Sequence, residues 1–571
     1  MLLYSNYPLI RQHITTMFHR TASIITAIAL PCILAECTSY SEVREKHPVY
    51  HPVTGITGPL AAVQNEIACA EKIHQHKPLE ALGGYLAAAQ TAMLQLQKSP
   101  RDVQAKNDYN YAVARVMSTI REARLDPWSQ PLQVPSPNGG FILSHKFDPR
   151  PNWNPALYDF TPADHFDLHG CYVTQRTVKD GLGAPVVAVG KGENRLAKEN
   201  FSMPRVYYGV TIVANFKGNH CDLEFIDPLA SETVNLNGHT YPLAADFTVP
   251  LAVMLAANES RKLEIMRVFR PDNYAHTTHV TILQPYDPAK KVVLVVHGLM
   301  DSPATWTPMV NYLRGHPEIR KSYQFWFYSY PSGYPYPYSA SILREKLDAI
   351  EKRYPLKQPM VVIGHSMGGC ISRLLITDSG DKLWKMTFGK SLEQMKLSPE
   401  NKDLLQNALI FRHRHEVGRV VFISAPLKGS DLANDWFGRL ASKLVKAPST
   451  LLKAGNDAFG LVKFQPGDLA VKTIPSSVDT LSPNNRFVKS INTIPITPGI
   501  PYHTIMGNRG KGGPPDCSDG VVPYWSSHMD GAKSECIVPS GHSAHQNPKS
   551  FEEVYRILKL NLRESPTVEN P

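Results

Sequence analysis

The chain has 571 residues, with 60 Lys and Arg against 50 Asp and Glu and a net charge of +10. That length calls for more than one domain, and 43% hydrophobic with 19% charged residues excludes disorder of the chain as a whole. The basic residues are scattered and accompany no nucleic-acid reader motif, so no nucleic-acid partner is expected; the eight cysteines form no CxxC pair and are too few for a disulfide-built scaffold.

Residues 21–35, TASIITAIALPCILA, form an apolar run with Arg20 just before it. The run is too short for a comfortable membrane span and fits the core of a signal peptide, with Met17 as a second candidate start. It ends in Leu34-Ala35-Glu36-Cys37, which resembles a bacterial lipobox, the motif whose cysteine is acylated. Gly, Ala or Ser normally precedes that cysteine. Glu36 stands there instead, so the sequence leaves lipidation of Cys37 open. Residues 1–37 are assigned to a signal peptide, of lipoprotein type if Cys37 is acylated. Export is expected, either to the periplasm of a bacterial cell envelope or to a membrane through acyl chains on Cys37. The alternative is an apolar N-terminus that is never processed.

Residues 38–58 are polar and proline-containing, as a linker would be. A helical segment is assigned to 59–138: between Pro59 and about Arg124, Leu82, Leu86, Ala89, Met93 and Leu96 recur at helical spacing on one face. The stretch PLEALGGYLAAAQTAM resembles a tetratricopeptide-like helix, but no second copy follows at a fixed period. A partner-binding module and a plain helical pair packed on its neighbours both fit; the second is preferred. Residues 139–288 combine frequent Pro and Gly with short β-type runs, among them Tyr207–Phe216, Thr233–Leu236, Leu251–Leu255 and Val280–Leu283. Asn237-Gly238, between TVNL and HTYPL, is a hairpin signal. The expectation is a small antiparallel sandwich or barrel.

Residues 289–571 change pattern again. Lys291–Val296 is apolar nearly throughout, as strands of parallel sheets are, and runs into His297-Gly298-Leu299-Met300-Asp301-Ser302. Gly298 allows this loop a close approach to whatever lies opposite, and His297 is expected to tie the loop down rather than to act as a base. Trp306–Leu313 reads as a helix and Tyr323–Tyr328 as a strand. YPSGYPYPY is a rigid loop whose tyrosines either line an acyl pocket or pack at the surface. Met360–Ile363 reads as a strand, Gly364–Gly368 as a tight turn, and a helix follows from about Gly369. A serine between two glycines at a strand-to-helix turn has its Oγ lifted above the sheet. The strained turn and close backbones leave no room for side chains at the glycines. Such a turn aims the Met367 N–H at the point where an oxyanion would form.

HGLMDS, GHSMGG and VVFISAPLKGS, in this order and spacing, resemble the bacterial lipase and esterase members of the α/β-hydrolase superfamily. The resemblance covers about Lys291 to Leu562. It implies an α/β fold of the α/β-hydrolase type, a mostly parallel sheet flanked by helices. Cap insertions are placed at about 378–415 and 431–478. It implies Ser366 as nucleophile. The acid belongs in the turn Ser518-Asp519-Gly520-Val521-Val522-Pro523, hence Asp519 rather than Asp516. The base follows the last strand, Cys536–Pro539, where His542 is preferred to His545. Backbone N–H groups of Leu299 and Met367 would form the oxyanion hole. Leu427 stands where the family often has His, a position without a catalytic role there. A Ser550/Glu553 capping box is expected to open the last helix. No metal or organic cofactor is required. In an exported protein a Cys517–Cys536 bridge would pin the acid loop. The activity implied is that of a serine hydrolase, a carboxylic ester hydrolase acting on ester or lipid substrates through an acyl-enzyme on Ser366. The alternatives are acyl transfer or amide cleavage by the same triad, or an inactive envelope lipoprotein that binds partners. The oligomeric state is left open.

Overall fold

The computed structural model describes residues 41–136, 139–150, 153–173, 175–192, 205–258, 266–268, 270–430, 453–454, 477–510 and 512–564. The apolar run 21–35, Cys37 and nearly all of the expected cap segment 431–478 lie outside the described residues. Among the described residues no helix is long and apolar enough to cross a membrane.

After a short strand, Glu42–Glu45, come three helices: α1 (Pro59–Ile73), α2 (Pro78–Lys98) and α3 (Val103–Glu122). Proline begins the first two, where its missing N–H costs nothing. Asp102 caps the third by accepting the Ala105 N–H at 3.0 Å. The stripe from Leu82 to Leu96 is buried, as its spacing predicts. It faces a six-stranded sheet made of β1 (Leu132–Val134), β2 (Phe141–His145), β3 (Tyr158–Pro162), β4 (Ala184–Gly190), β5 (Tyr207–Lys217) and β6 (His220–Ile226), in the order β1-β2-β6-β5-β4-β3. Helices and sheet share one hydrophobic cluster. At its centre the buried Tyr109 hydroxyl donates to the Ala214 carbonyl and accepts the Ala214 N–H, both at 2.8 Å.

A single mixed sheet covered by helices therefore replaces the expected sandwich or barrel. The helices supply the apolar cover that a second sheet would have given. The Asn237-Gly238 hairpin is present, with both residues at positive φ (50° and 80°) between paired strands, as a two-residue hairpin turn demands. Leu251–Leu255, expected as a strand, lies inside helix α4 (Val249–Asn258). An all-apolar run has no readable period. Asp246 decides the outcome by accepting the Thr248 and Val249 N–H groups at the helix start.

The second half is built on seven strands: β7 (His279–Ile282), β8 (Lys291–Val296), β9 (Tyr323–Ser329), β10 (Met360–His365), β11 (Val417–Ile423), β12 (Tyr502–Gly507) and β13 (Ser534–Val538). Their order is β7-β9-β8-β10-β11-β12-β13. Only β7 runs antiparallel to its neighbour. Parallel strands need cover on both faces, and alternate residues of β8 and β10 enter two different clusters. Val292, Leu294, Val296, Met360 and Val362 pack with α6 (Tyr336–Arg353) and α7 (Met367–Leu374). Val293, Val295, Val361 and Ile363 pack with α5 (Thr307–Arg314) and α8 (Pro548–Glu564).

The expected insertion 378–415 contains two helices, Lys382–Phe388 and Pro399–Leu409, whose apolar side chains join the α6–α7 cluster. Helix α8 begins earlier than expected. Pro548 starts it, the Asn547 Oδ1 accepts the Lys549 N–H at 3.0 Å, and the Ser550 Oγ is buried without a partner, so no Ser550/Glu553 capping box forms. The two halves meet in polar contacts, among them a bidentate Arg320–Glu232 pair and a 2.8 Å bond from Thr248 Oγ1 to Asn311 Oδ1.

Candidate active site

Ser366 sits between the end of β10 and the start of α7, with φ 53° and ψ −126°. This conformation is strained for a residue with a β-carbon. Crowding explains the flanking glycines. A β-carbon on Gly364 would lie 2.5 Å from the Gly368 carbonyl oxygen, and one on Gly368 would lie 2.2 Å from the Val296 carbonyl oxygen. The turn is thus pressed against the end of β8 and the loop that follows it. Gly298 completes the contact, since a β-carbon there would stand 2.9 Å from the Ser366 Cβ.

Ser366 Oγ is 2.8 Å from His542 Nε2, and His542 Nδ1 is 2.9 Å from Asp519 Oδ2. A carboxylate accepts only, so Nδ1 carries the proton and the Nε2 lone pair faces the serine hydroxyl. The loop after β12 wraps the Asp519 carboxylate: Oδ1 accepts the Val521 and Val522 N–H groups at 2.7 and 2.6 Å. Burial alone would raise the Asp519 carboxyl. The His542 hydrogen bond and charge and the two backbone donors outweigh burial and hold it below its ordinary value. Burial pushes His542 below the ordinary imidazole value, and the Asp519 hydrogen bond partly offsets this.

The structure brings Ser366, His542 and Asp519 into one chain and leaves their rivals out of it. Asp516 is exposed. His545 is buried, with Nε2 3.0 Å from Thr305 Oγ1. Met367, as first residue of α7, has an N–H with no intrahelical acceptor. Leu299 is half-buried directly after Gly298. His297 donates from Nδ1 to the Gly298 carbonyl at 2.9 Å and stacks on Tyr330. Burial lowers its pKa to about 4, so it is a neutral tie. Tyr330, Tyr334 and Tyr336 are buried rather than packed at the surface. Cys517 and Cys536 are free thiols, so no bridge pins the acid loop. The turn after β11 does that work: the Ser430 hydroxyl donates to the Val521 carbonyl at 2.6 Å, and the Ser527 hydroxyl donates to the Ala425 carbonyl at 2.9 Å.

Two residues that the motif reading passed over lie behind the serine. Asp301 Oδ2 is 3.4 Å from His365 Nδ1, and His365 Nε2 is 2.8 Å from the His542 carbonyl oxygen. Both stand inside the quoted motifs, and their place beside the motif glycines was the available signal. With His545 they bring metal-ligating atom types within 4.8 Å of one another. His545 Nε2 is already engaged by Thr305 and His365 Nε2 by the His542 carbonyl.

Residues 292–554 match the model of the alpha/beta hydrolase family. No curated protein gives a significant match. Among solved structures, the mature form of the Bacillus licheniformis lipase BlEst2 is similar over 49% of this chain and 97% of its own, at 19% identity and a TM-score of 0.31. A lipase-esterase related protein from Clostridium acetobutylicum is similar over 50% of this chain and 98% of its own, at 13% identity and a TM-score of 0.26. Esterase B from Lactobacillus rhamnosis is similar over 51% of this chain and 84% of its own, at 13% identity and a TM-score of 0.27.

Proposed function

Because residues 292–554 form an α/β-hydrolase domain, we propose that the protein is a serine hydrolase that cleaves carboxylic esters. The observation that carries this reading is the continuous relay from a strained Ser366 through His542 to Asp519. A serine hydroxyl is a weak nucleophile at neutral pH. In the proposed cycle His542 Nε2 takes the Oγ proton as Oγ attacks the ester carbonyl, and Asp519 stabilises the imidazolium that forms. The N–H groups of Leu299 and Met367 hold the oxyanion, each worth about 3–4 kcal/mol to the transition state. His542 then protonates the leaving alcohol. Water, activated by the same imidazole, releases the acid from the acyl-serine. Leu299 and the exposed Met300, on the proposed oxyanion turn, favour an apolar acyl group over a charged one. The leader-like composition of residues 1–37 supports export to the cell envelope as part of this proposal.

The test is hydrolysis of p-nitrophenyl esters of increasing chain length, with fluorophosphonate labelling beside it. Turnover and labelling that both vanish in Ser366→Ala are expected. A wild-type protein that neither turns over any ester nor takes the label would refute the reading.

A further inference from the structure

Behind the Ser366–His542–Asp519 relay lies a second histidine–carboxylate pair. Asp301 closes the turn after β8: its Oδ1 accepts the Ser302 N–H at 2.8 Å, and its Oδ2 faces the Gly298 N–H at 3.5 Å. The same Oδ2 stands 3.4 Å from His365 Nδ1. The other ring nitrogen, His365 Nε2, is 2.8 Å from the His542 main-chain oxygen. A carbonyl only accepts, so His365 Nε2 carries a proton and donates it. His365 is 4% exposed and Asp301 9%, so water scarcely competes for either. The His365 ring is also walled in. His545 packs on it with ring centroids 3.9 Å apart, and Trp306 meets both histidines. One imidazole thus joins three separate segments: the turn 297–302, the nucleophile turn and the loop that carries His542.

We propose that Asp301 and His365 are positioning residues for the base. Asp301 Oδ2 backs the His365 ring at 3.4 Å without a hydrogen bond to Nδ1, and Asp301 holds the turn against which the ring rests. His365 Nε2–H then anchors the His542 carbonyl and so fixes how far the His542 imidazole reaches toward Ser366. Neither residue touches the reacting atoms; both act through His542. The anchor matters because the working contact is a single 2.8 Å hydrogen bond. A displacement of about 1 Å at a reacting group can cost roughly 100-fold in rate. The inference rests on the hydrolase reading given above.

The test uses the full chain with His365→Leu, His365→Gln and Asp301→Asn. Leucine fills similar space without a donor, whereas the glutamine amide can donate near the position of the imidazole Nε2–H. With a short soluble ester, His365→Leu is expected to lower kcat by about 100-fold and leave KM little changed, and His365→Gln to recover most of that loss. Asp301→Asn keeps an acceptor for the Ser302 N–H and is expected to lower kcat by less than His365→Leu. A thermal melt shows which variants are folded. The far-downfield proton resonance of the His542 Nδ1–H gives a readout independent of turnover: it is expected to be lost in His365→Leu and kept in His365→Gln. A kcat for His365→Leu within twofold of wild type overturns the proposal. So do equal losses in the leucine and glutamine variants, or a downfield resonance that persists in His365→Leu. A wild type inactive on every ester refutes the hydrolase reading instead, and the resonance still decides whether His365 holds His542.

Discussion

Gly298 packs directly against Ser366: a β-carbon on Gly298 would lie only 2.9 Å from the Ser366 Cβ. This contact sets the distance between the loop bearing Leu299 and the serine. Gly298→Ala is therefore expected to move that loop rather than to unfold the domain. Overpacking of this kind costs about 1–3 kcal/mol. If the Leu299 N–H is an oxyanion donor, as proposed, its misalignment is expected to lower kcat by about 100-fold or more. Parallel measurement of kcat and of denaturant unfolding checks both; an alanine variant with wild-type kcat would remove the loop from the chemistry.

The backbone strain at Ser366 can be measured without any substrate. Ser366→Ala and Ser366→Gly both delete the hydroxyl, but only alanine keeps a β-carbon at φ 53°. The glycine variant is expected to be more stable than the alanine variant by about 1 kcal/mol. Urea unfolding of the two decides this, and an alanine variant at least as stable as the glycine one would show that the turn is relaxed.

On the proposed reading, turnover depends on pH because His542 must be neutral to accept the serine proton. Its pKa is lowered, chiefly by burial. The acid limb of kcat/KM is expected below the ordinary imidazole value of about 6.5, with activity level above it. A limb at or above that value would place a different group, or an unburied histidine, in the base role. Asp519→Asn is expected to cost on the order of 10⁴ in kcat, since it removes the acceptor that selects the tautomer.

Acid stability follows from buried histidines outside the relay as well. Burial lowers His165 to about 3 and His297 and His503 to about 4. Between those values and about 6.5 the unfolded chain binds protons that the folded chain does not. Stability therefore falls as pH drops through this window, by about 1.4 kcal/mol per pH unit for each proton taken up. Calorimetry at about pH 5.5 in two buffers of different ionisation enthalpy is expected to show proton uptake on unfolding. No uptake, or release, would contradict it.

The second half was the more legible in the sequence because buried parallel strands write themselves as unbroken apolar runs, as Lys291–Val296 does. The first half was less so. Leu251–Leu255 is apolar on every side, so its period is silent and a polar neighbour, Asp246, settled its structure. Strands alone imply a sandwich; α2 and α3, which cover the sheet instead, leave no such mark in the strand pattern. At the candidate site, the glycines and the serine could be read because a strained, crowded turn tolerates few residues. Asp301 and His365 could not, because their pairing with the His542 loop joins positions far apart in the chain. The free Cys517 and Cys536 show the limit of sequence proximity: both flank Asp519, and hydroxyl-to-backbone bonds from Ser430 and Ser527 hold that region in place.

The strand order has a temporal meaning too. Ser366 emerges from the centre of the sheet, while His542 follows β13, the edge strand laid down last, 176 residues later. During synthesis Ser366 leaves the ribosome long before His542 exists, and the relay closes only after β13 has been added. On the proposed reading, a growing chain is chemically silent until the loop after β13 has been made.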